Sequence, residues 1–267
     1  MRGRVLIVAG SDSGGGAGMQ GDLKTVTALG AYAATAVTAL TAQNTRGVFG
    51  ILAVPPEFIA QQMRLVLEDI GADCIKTGML HNSAVIETVV GVLADLAPKT
   101  PLVVDPVMFA KGGAALLEPA ARESLSTRLL PRATVLTPNT EEAEALTGIT
   151  ISNSDAMALA ARQLLALGPQ AVLIKGGHLA GENVTTLLVS AQGVHRFVQP
   201  RLDTPHTHGT GCALASALAA GLAQGMPLIP AAERALAYVH EAIRSAPGLG
   251  GGHGPLNHAH TVRPLPI

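Results

Sequence analysis

Short apolar runs alternate with segments of helical period along most of the chain, and this alternation restricts the fold more than any other feature. Val5–Ala9, Asp73–Lys76, Leu102–Asp105, Thr134–Leu136 and Ala171–Lys175 have strand length, and most are rich in β-branched residues. Helical segments separate them: Gly18–Leu29, closed by Gly30, then Pro56–Ile70, Ser83–Leu96 and Ala156–Leu167. Ser152–Asp155 resembles a capping box for the last of these. Thr35–Leu40 reads as a further strand. Thr185–Ser190 and Val194–Val198, separated by Ala191–Gly193, read as a hairpin. Strands joined through helices require crossover connections, which build a mostly parallel sheet with helices on both faces. The pattern therefore predicts an α/β fold. No long linker, repeat or low-complexity block interrupts it, so one domain over residues 1–267 is expected.

Composition narrows the partners. The chain is 48% hydrophobic and 14% charged, ample for one large core and unlike a disordered chain. With no Trp, two Tyr and four Phe, that core must be built from Ala, Val, Leu and Ile. A net charge of −1 supplies no polybasic face for nucleic acid or an anionic membrane. No apolar run reaches the length of a bilayer span. Val5–Ala9 is too short for the apolar segment of a signal peptide. Cys74 and Cys212, the two cysteines, read as free thiols, so a cytoplasmic protein is expected.

Two glycine loops stand before helices. Gly16-Ala17-Gly18-Met19-Gln20-Gly21 matches the dinucleotide-binding pattern formally, but it begins well after its strand. After Asp22 the next acidic residue is Glu57, so no carboxylate stands where a ribose hydroxyl would need it. A loop that lets the backbone approach a ligand or another strand closely is the better reading. No phosphate-binding loop ending in Gly-Lys-Ser/Thr occurs. Thr207–Cys212 is more informative, because Ala213–Ala223 behind it is small and apolar on every side, the mark of a buried helix. The glycine-lined N-terminus of such a helix offers free N–H groups and a positive dipole end, which suits a phosphate. A plain loop-to-helix turn is the alternative. His206, His208 and His178 lack a Cys or carboxylate at zinc-ligand spacing, so hydrogen bonding is expected of them. Gly248–Gly254 reads as a mobile or ligand-covering segment, as does Phe109–Ala115.

Ala9–Gly18, Thr38–Thr45, Lys76–Leu80, Val104–Met108, Leu136–Asn139, Lys175–His178 and Thr207–Cys212, taken in this order along the chain, resemble the motifs of one family. It is that of the hydroxymethylpyrimidine/phosphomethylpyrimidine kinases of thiamine biosynthesis, a branch of the ribokinase-like superfamily. Gly21 departs from the family, which usually has Ala there. The resemblance implies a ribokinase-like sheet, a site along one sheet edge, a homodimer, and ATP and Mg²⁺ as co-substrate and cofactor. It implies that Gln43 and Asp22 bind the pyrimidine edge, with Gly10, Met79 and Val107 lining its pocket. Asp105, Asn139 and Glu142, with Thr207, would form the ATP–Mg²⁺ side, Asp105 and Glu142 reaching the metal through water or phosphate. Lys175, Gly209, Thr210, Gly211 and Cys212 would carry the transfer. An amide suits an aminopyrimidine because it offers a donor and an acceptor together.

Many ribokinase-like sugar kinases carry a base, Asp, where this chain has Cys212. The implied reaction phosphorylates an alcohol and then its monophosphate. The monophosphate is already ionised at neutral pH and needs no base, and an Asp would repel it. Cys212 reads as the residue that admits both acceptors, with a thiol acidified by the helix N-terminus. A pyridoxal or pyridoxine kinase is the nearest rival, and a non-catalytic pyrimidine-binding protein is the alternative of another class.

Overall fold

β1 (Arg4–Ala9) carries no polar side chain after Arg4 because both of its faces are covered. In the computed structural model, which describes residues 1–110, 113 and 115–263, β1 lies parallel between β2 (Tyr32–Val37) and β5 (Cys74–Thr77). β6 (Leu102–Val104), β7 (Val135–Leu136) and β8 (Ala171–Lys175) continue the parallel ladder. The hairpin β9 (Asn183–Ser190) and β10 (Gly193–Pro200) joins it antiparallel. The resulting eight-stranded sheet has the order β10-β9-β8-β7-β6-β5-β1-β2. β3 (Ala39–Asn44) and β4 (Gly47–Ala53) form a separate antiparallel pair.

Side chains alternate across the sheet and feed two cores. Leu6 and Val8 pack with α2 (Pro56–Asp69), α3 (Ser83–Leu96) and α6 (Ser154–Leu165). Val5, Ile7 and Ala9 pack with α1 (Gly18–Ala28), α7 (Thr210–Ala223) and α8 (Leu228–Arg244). Ala213 through Gly221 of α7 are all buried. Small residues make that possible: a Cβ on Gly221 would stand 2.9 Å from Ala231 Cβ of α8. The remaining helices are α4 (Ala121–Ser124), which runs on through a π turn and a 3₁₀ turn to Arg132, and α5 (Thr140–Thr147).

The parallel α/β architecture is as expected, and several boundaries differ. Thr35–Leu40 is not one strand. The chain leaves the main sheet at Thr38, whose hydroxyl donates to the Met79 carbonyl, and continues as β3. β4 was not anticipated, since its residues are exposed and carry no alternation of buried and polar positions. The cap of α6 is Asn153, which accepts from the N–H groups of Asp155 and Ala156, instead of a box built on Ser152. Gly30 has φ +79° just beyond α1, the left-handed conformation its predicted role requires.

Candidate active site

The parallel strands end at one edge of the sheet, where a cavity of about 780 Å³ opens against the N-terminus of α7. Strand ends in such sheets collect ligands because loops and helix N-termini converge there. Gly10, Gln43, Met79 and Val107 line one part of the cavity, and Asp105, Asn139, Glu142 and Lys175 another. Thr207 and Gly209–Cys212 lie between them. Leu202 and, from α8, Leu236, Val239 and Ile243 add an apolar wall that the sequence reading missed. On a helix, their buried stripe looks like ordinary core.

The entry to α7 depends on glycine. Gly209 has φ +87°, and a Cβ there would fall 2.0 Å from the Gly16 carbonyl oxygen. The two glycine loops therefore touch, and neither tolerates a side chain at the contact. Helix geometry leaves the N–H groups of Gly211 and Cys212 without an internal acceptor, and no side chain caps them. A Cβ on Gly211 would sit 3.3 Å from Lys175 Nζ, so the ammonium and these N–H groups face the same space. Cys212 departs from expectation. Burial pushes its thiol up to about 12, with Asp22 and Asp105 adding to the rise, and Lys76 and the Gly18 N–H only partly offsetting it. Desolvation outweighs the helix dipole, and the thiol is neutral at physiological pH.

Asp105 and Glu142 are buried carboxylates facing Lys175. Asp105 Oδ1 accepts from Lys175 Nζ and from Thr137 Oγ1, each at 3.3 Å. Asn139 caps α5 by accepting from Glu142 N, and Glu142 Oε2 accepts from Asn139 N, both at 2.8 Å. Burial lifts the Glu142 carboxyl to about 7, with Asp105 adding to the rise, while Lys175 and two backbone N–H groups pull it back. Asp105 and Glu142 share one ammonium, and the raised Glu142 value reflects the cost of a second negative charge in this buried wall. This donor set fits Mg²⁺, which takes one or two carboxylates and fills its other positions with water and phosphate oxygens.

Gln43 belongs to a network that includes a residue sequence reasoning missed, Asp12. Asp12 is 2% exposed and accepts from the N–H groups of Gly14, Gly16 and Ala17. The first glycine loop thus wraps a carboxylate of its own chain, where a dinucleotide site would hold phosphate. The available signal was an aspartate opening a glycine run. His208 Nε2–H donates to Asp12 Oδ2 at 2.8 Å, and the Thr41 hydroxyl donates to the Ser11 carbonyl at 2.8 Å. The Gln43 amide lies 3.2 Å from both of these groups. Gln43 Oε1 stands at the Thr41 hydroxyl and Nε2 at His208 Nε2. Each amide atom keeps a lone pair or proton for a ligand.

Burial pushes the Asp12 carboxyl up, but His208 and the backbone donors outweigh it and hold it below the usual 3.8. Its stabilisation is therefore complete above about 3.8 and is lost as pH falls through the lower folded value. Asp12→Asn sets an amide nitrogen against backbone donors and should cost about 2–3 kcal/mol at pH 7. Denaturant unfolding should show the two proteins converging as the solution is acidified below that window.

Asp22 is corrected: it is not in the cavity wall. It lies fully buried beneath the wall, where Lys76 Nζ and Ser216 Oγ each donate to it at 2.7 Å. Lys76, fully buried on β5, is the member of the pair that borders the cavity. The Gly248–Gly254 segment is fastened as a strap. His253 N donates to the Thr45 carbonyl, Gly252 N to Thr45 Oγ1, and the Gly254 carbonyl accepts from His208 N. It ties the β3–β4 turn to the loop entering α7, and His253 reaches the cavity. Of the other suspected cover, Phe109, Ala110 and Gly113 line the cavity, and positions 111, 112 and 114 lie outside the described residues.

Comparison with known proteins agrees with this geometry. The phosphomethylpyrimidine kinase family profile matches residues 12–257. The thiamine biosynthesis bifunctional protein ThiED of Geobacter sulfurreducens is 54% identical over 259 residues, which are 96% of this chain and 52% of that protein. The chain thus spans about half of that relative. It spans 93% of the hydroxymethylpyrimidine/phosphomethylpyrimidine kinase of Streptomyces coelicolor, with 51% identity over 254 residues and 95% of this chain covered. The Staphylococcus aureus pyridoxal kinase, solved with AMP-PCP and pyridoxal, superposes with a TM-score of 0.90 at 33% identity, covering 98% of this chain and 96% of its own. The fold is ribokinase-like, and the chain belongs to the phosphomethylpyrimidine kinase family.

Proposed function

We propose that this protein is an ATP-dependent kinase that phosphorylates 4-amino-5-hydroxymethyl-2-methylpyrimidine and then its monophosphate, giving the diphosphate used in thiamine biosynthesis. The observation that carries the reading is that one cavity brings the Gln43 amide, held by Thr41 and His208, together with the uncapped N-terminus of α7 and Lys175. Gln43 holds the amino and ring-nitrogen edge, with Gly10, Met79 and Val107 against the flat ring. Lys175 and the N–H groups of Gly211 and Cys212 hold the charge of the transferring phosphoryl group, while Gly209 and Thr210 set the turn. Thr207 borders the phosphates, and the apolar wall around Leu236 and Val239 takes the nucleoside end. Asp105 and Glu142, steadied by Asn139, would hold Mg²⁺ through water or phosphate, and the ion would neutralise charge on the phosphates.

Acceptor and donor held in line supply most of the rate, because transfer is largely dissociative. The neutral Cys212 thiol adds no charge beside either acceptor. Exposed Leu40, Phe49, Ile51 and Leu52 on β3–β4 support a homodimer through that pair of strands, testable by sedimentation of the 27.1 kDa chain. Two free cysteines support a reducing, cytoplasmic location. Among the described residues no helix is long and apolar enough to cross a membrane. A sheet continuous from β10 to β2 supports one domain over residues 1–267.

The pyridoxal kinase likeness defines the competing reading. Purified protein with Mg–ATP should turn over the pyrimidine alcohol and its monophosphate faster than pyridoxal. Faster turnover of pyridoxal, or none of the monophosphate, overturns the assignment.

A further inference from the structure

Lys76 is the one charged side chain among the largest fully buried ones, and the mechanism above leaves it without a role. It stands on β5, between the strand that delivers Gly10 and the strand that delivers Asp105, so it underlies the middle of the cavity. Among the described residues its ammonium makes one hydrogen bond, to Asp22 Oδ2, and its remaining protons find no side-chain or backbone acceptor there. Asp22 by contrast is engaged on both oxygens, by Lys76 and Ser216. A Cβ on Gly78 would fall 3.0 Å from Lys76 Nζ, so the glycine keeps the layer over the ammonium thin. Lys76 and Gly78 border the cavity and Asp22 does not. The ion pair is a dipole whose positive end underlies the floor beside Cys212.

We propose that Lys76 determines specificity for the phosphorylated acceptor, its charge favouring a phosphate monoester on the floor of the cavity over a neutral alcohol. The inference rests on the two-step reading above. In the second step an oxygen of the acceptor phosphate forms a bond to the γ-phosphorus of ATP. The bond from that phosphorus to the β–γ bridging oxygen breaks, and ADP leaves with the electron pair. No proton need move, because the acceptor is already ionised. What the step requires is tolerance of two anions side by side, and Lys175 is already engaged by Asp105. The pair Lys76–Asp22 is neutral overall, so an alcohol meets no net charge, while a monoester meets the positive end across a short dry distance.

The test compares wild type with K76M and with D22N/K76M, the second removing both charges so that no carboxylate is stranded. Thermal unfolding checks that each variant is folded. Calorimetry without ATP measures affinity for the pyrimidine alcohol and its monophosphate, and steady-state kinetics measures kcat/KM for each. The expected result is a fall of roughly 30-fold in the monoester-to-alcohol ratio of both quantities. An unchanged ratio, including equal losses on both acceptors, overturns the proposal. If wild type binds neither pyrimidine, the substrate assignment fails separately. The same calorimetry with pyridoxal and its phosphate then decides the role of Lys76 by the same ratio.

Discussion

Replacing Lys175 by Met should lower kcat for both phosphorylations by on the order of 10³-fold while leaving the protein folded. Lys175 Nζ stands 3.3 Å from Asp105 Oδ1 and beside Gly211, where no side chain intervenes. A fixed cation there acts on charge that develops during transfer, in a site dry enough to magnify it. Burial works against the Lys175 charge, yet Asp105 and Glu142 outweigh it and keep the ammonium protonated. Because the same cation serves alcohol and monophosphate, the loss should be alike on the two acceptors, unlike the selective loss expected at Lys76.

The variant carries a second signature. Lys175 is the largest influence pulling the Glu142 carboxyl down against burial, and even so that carboxyl lies at about 7. Without the ammonium it should rise further in the metal-free protein, which a pH titration of the enzyme without Mg²⁺, followed by NMR, would read beside stopped assays of kcat. A loss of kcat under tenfold would show that the cation is not where the phosphoryl group passes.

How much of this was legible in the sequence depends on what each residue's pattern encodes. Buried parallel strands such as Val5–Ala9 declare themselves as unbroken apolar runs, so the sheet could be read directly. β4 could not, because its exposed Phe49 and Leu52 belong to no buried face of the described chain. The helix entering at Gly209 was readable because only a buried helix is small and apolar all round. The orientation of a side chain is not encoded in spacing. Asp22 lies near the matching motif yet turns beneath the wall to Lys76, and Asp12 is held by Gly16 and Ala17, the first two residues of the segment that resembled a dinucleotide loop. The Cys212 thiol shows the same limit. Its helix position was evident, but the burial that raises it to about 12 comes from elements far apart in the chain.

Cys212→Asp gives the sharpest separation between the two acceptors. At this position an aspartate would stand at the helix N-terminus, where the alcohol could use it as a base, so the first step should keep most of its rate or gain. The second step brings an ionised monophosphate to the same point. Two unit charges about 4 Å apart at an effective dielectric near 20 repel by roughly 4 kcal/mol, which corresponds to about 10³-fold in rate. The new carboxylate would also face Lys76, whose charge acts on position 212 in the native chain, and would draw that field away from the acceptor. Repulsion and loss of the cation therefore act in the same direction. Single-turnover assays on alcohol and monophosphate, with Cys212→Ala as the uncharged control, would separate charge from size. Alanine should spare the second step and aspartate should nearly abolish it. If both variants lose the two steps equally, Cys212 is a packing residue beneath the phosphate cradle and its neutrality plays no part in admitting the second substrate.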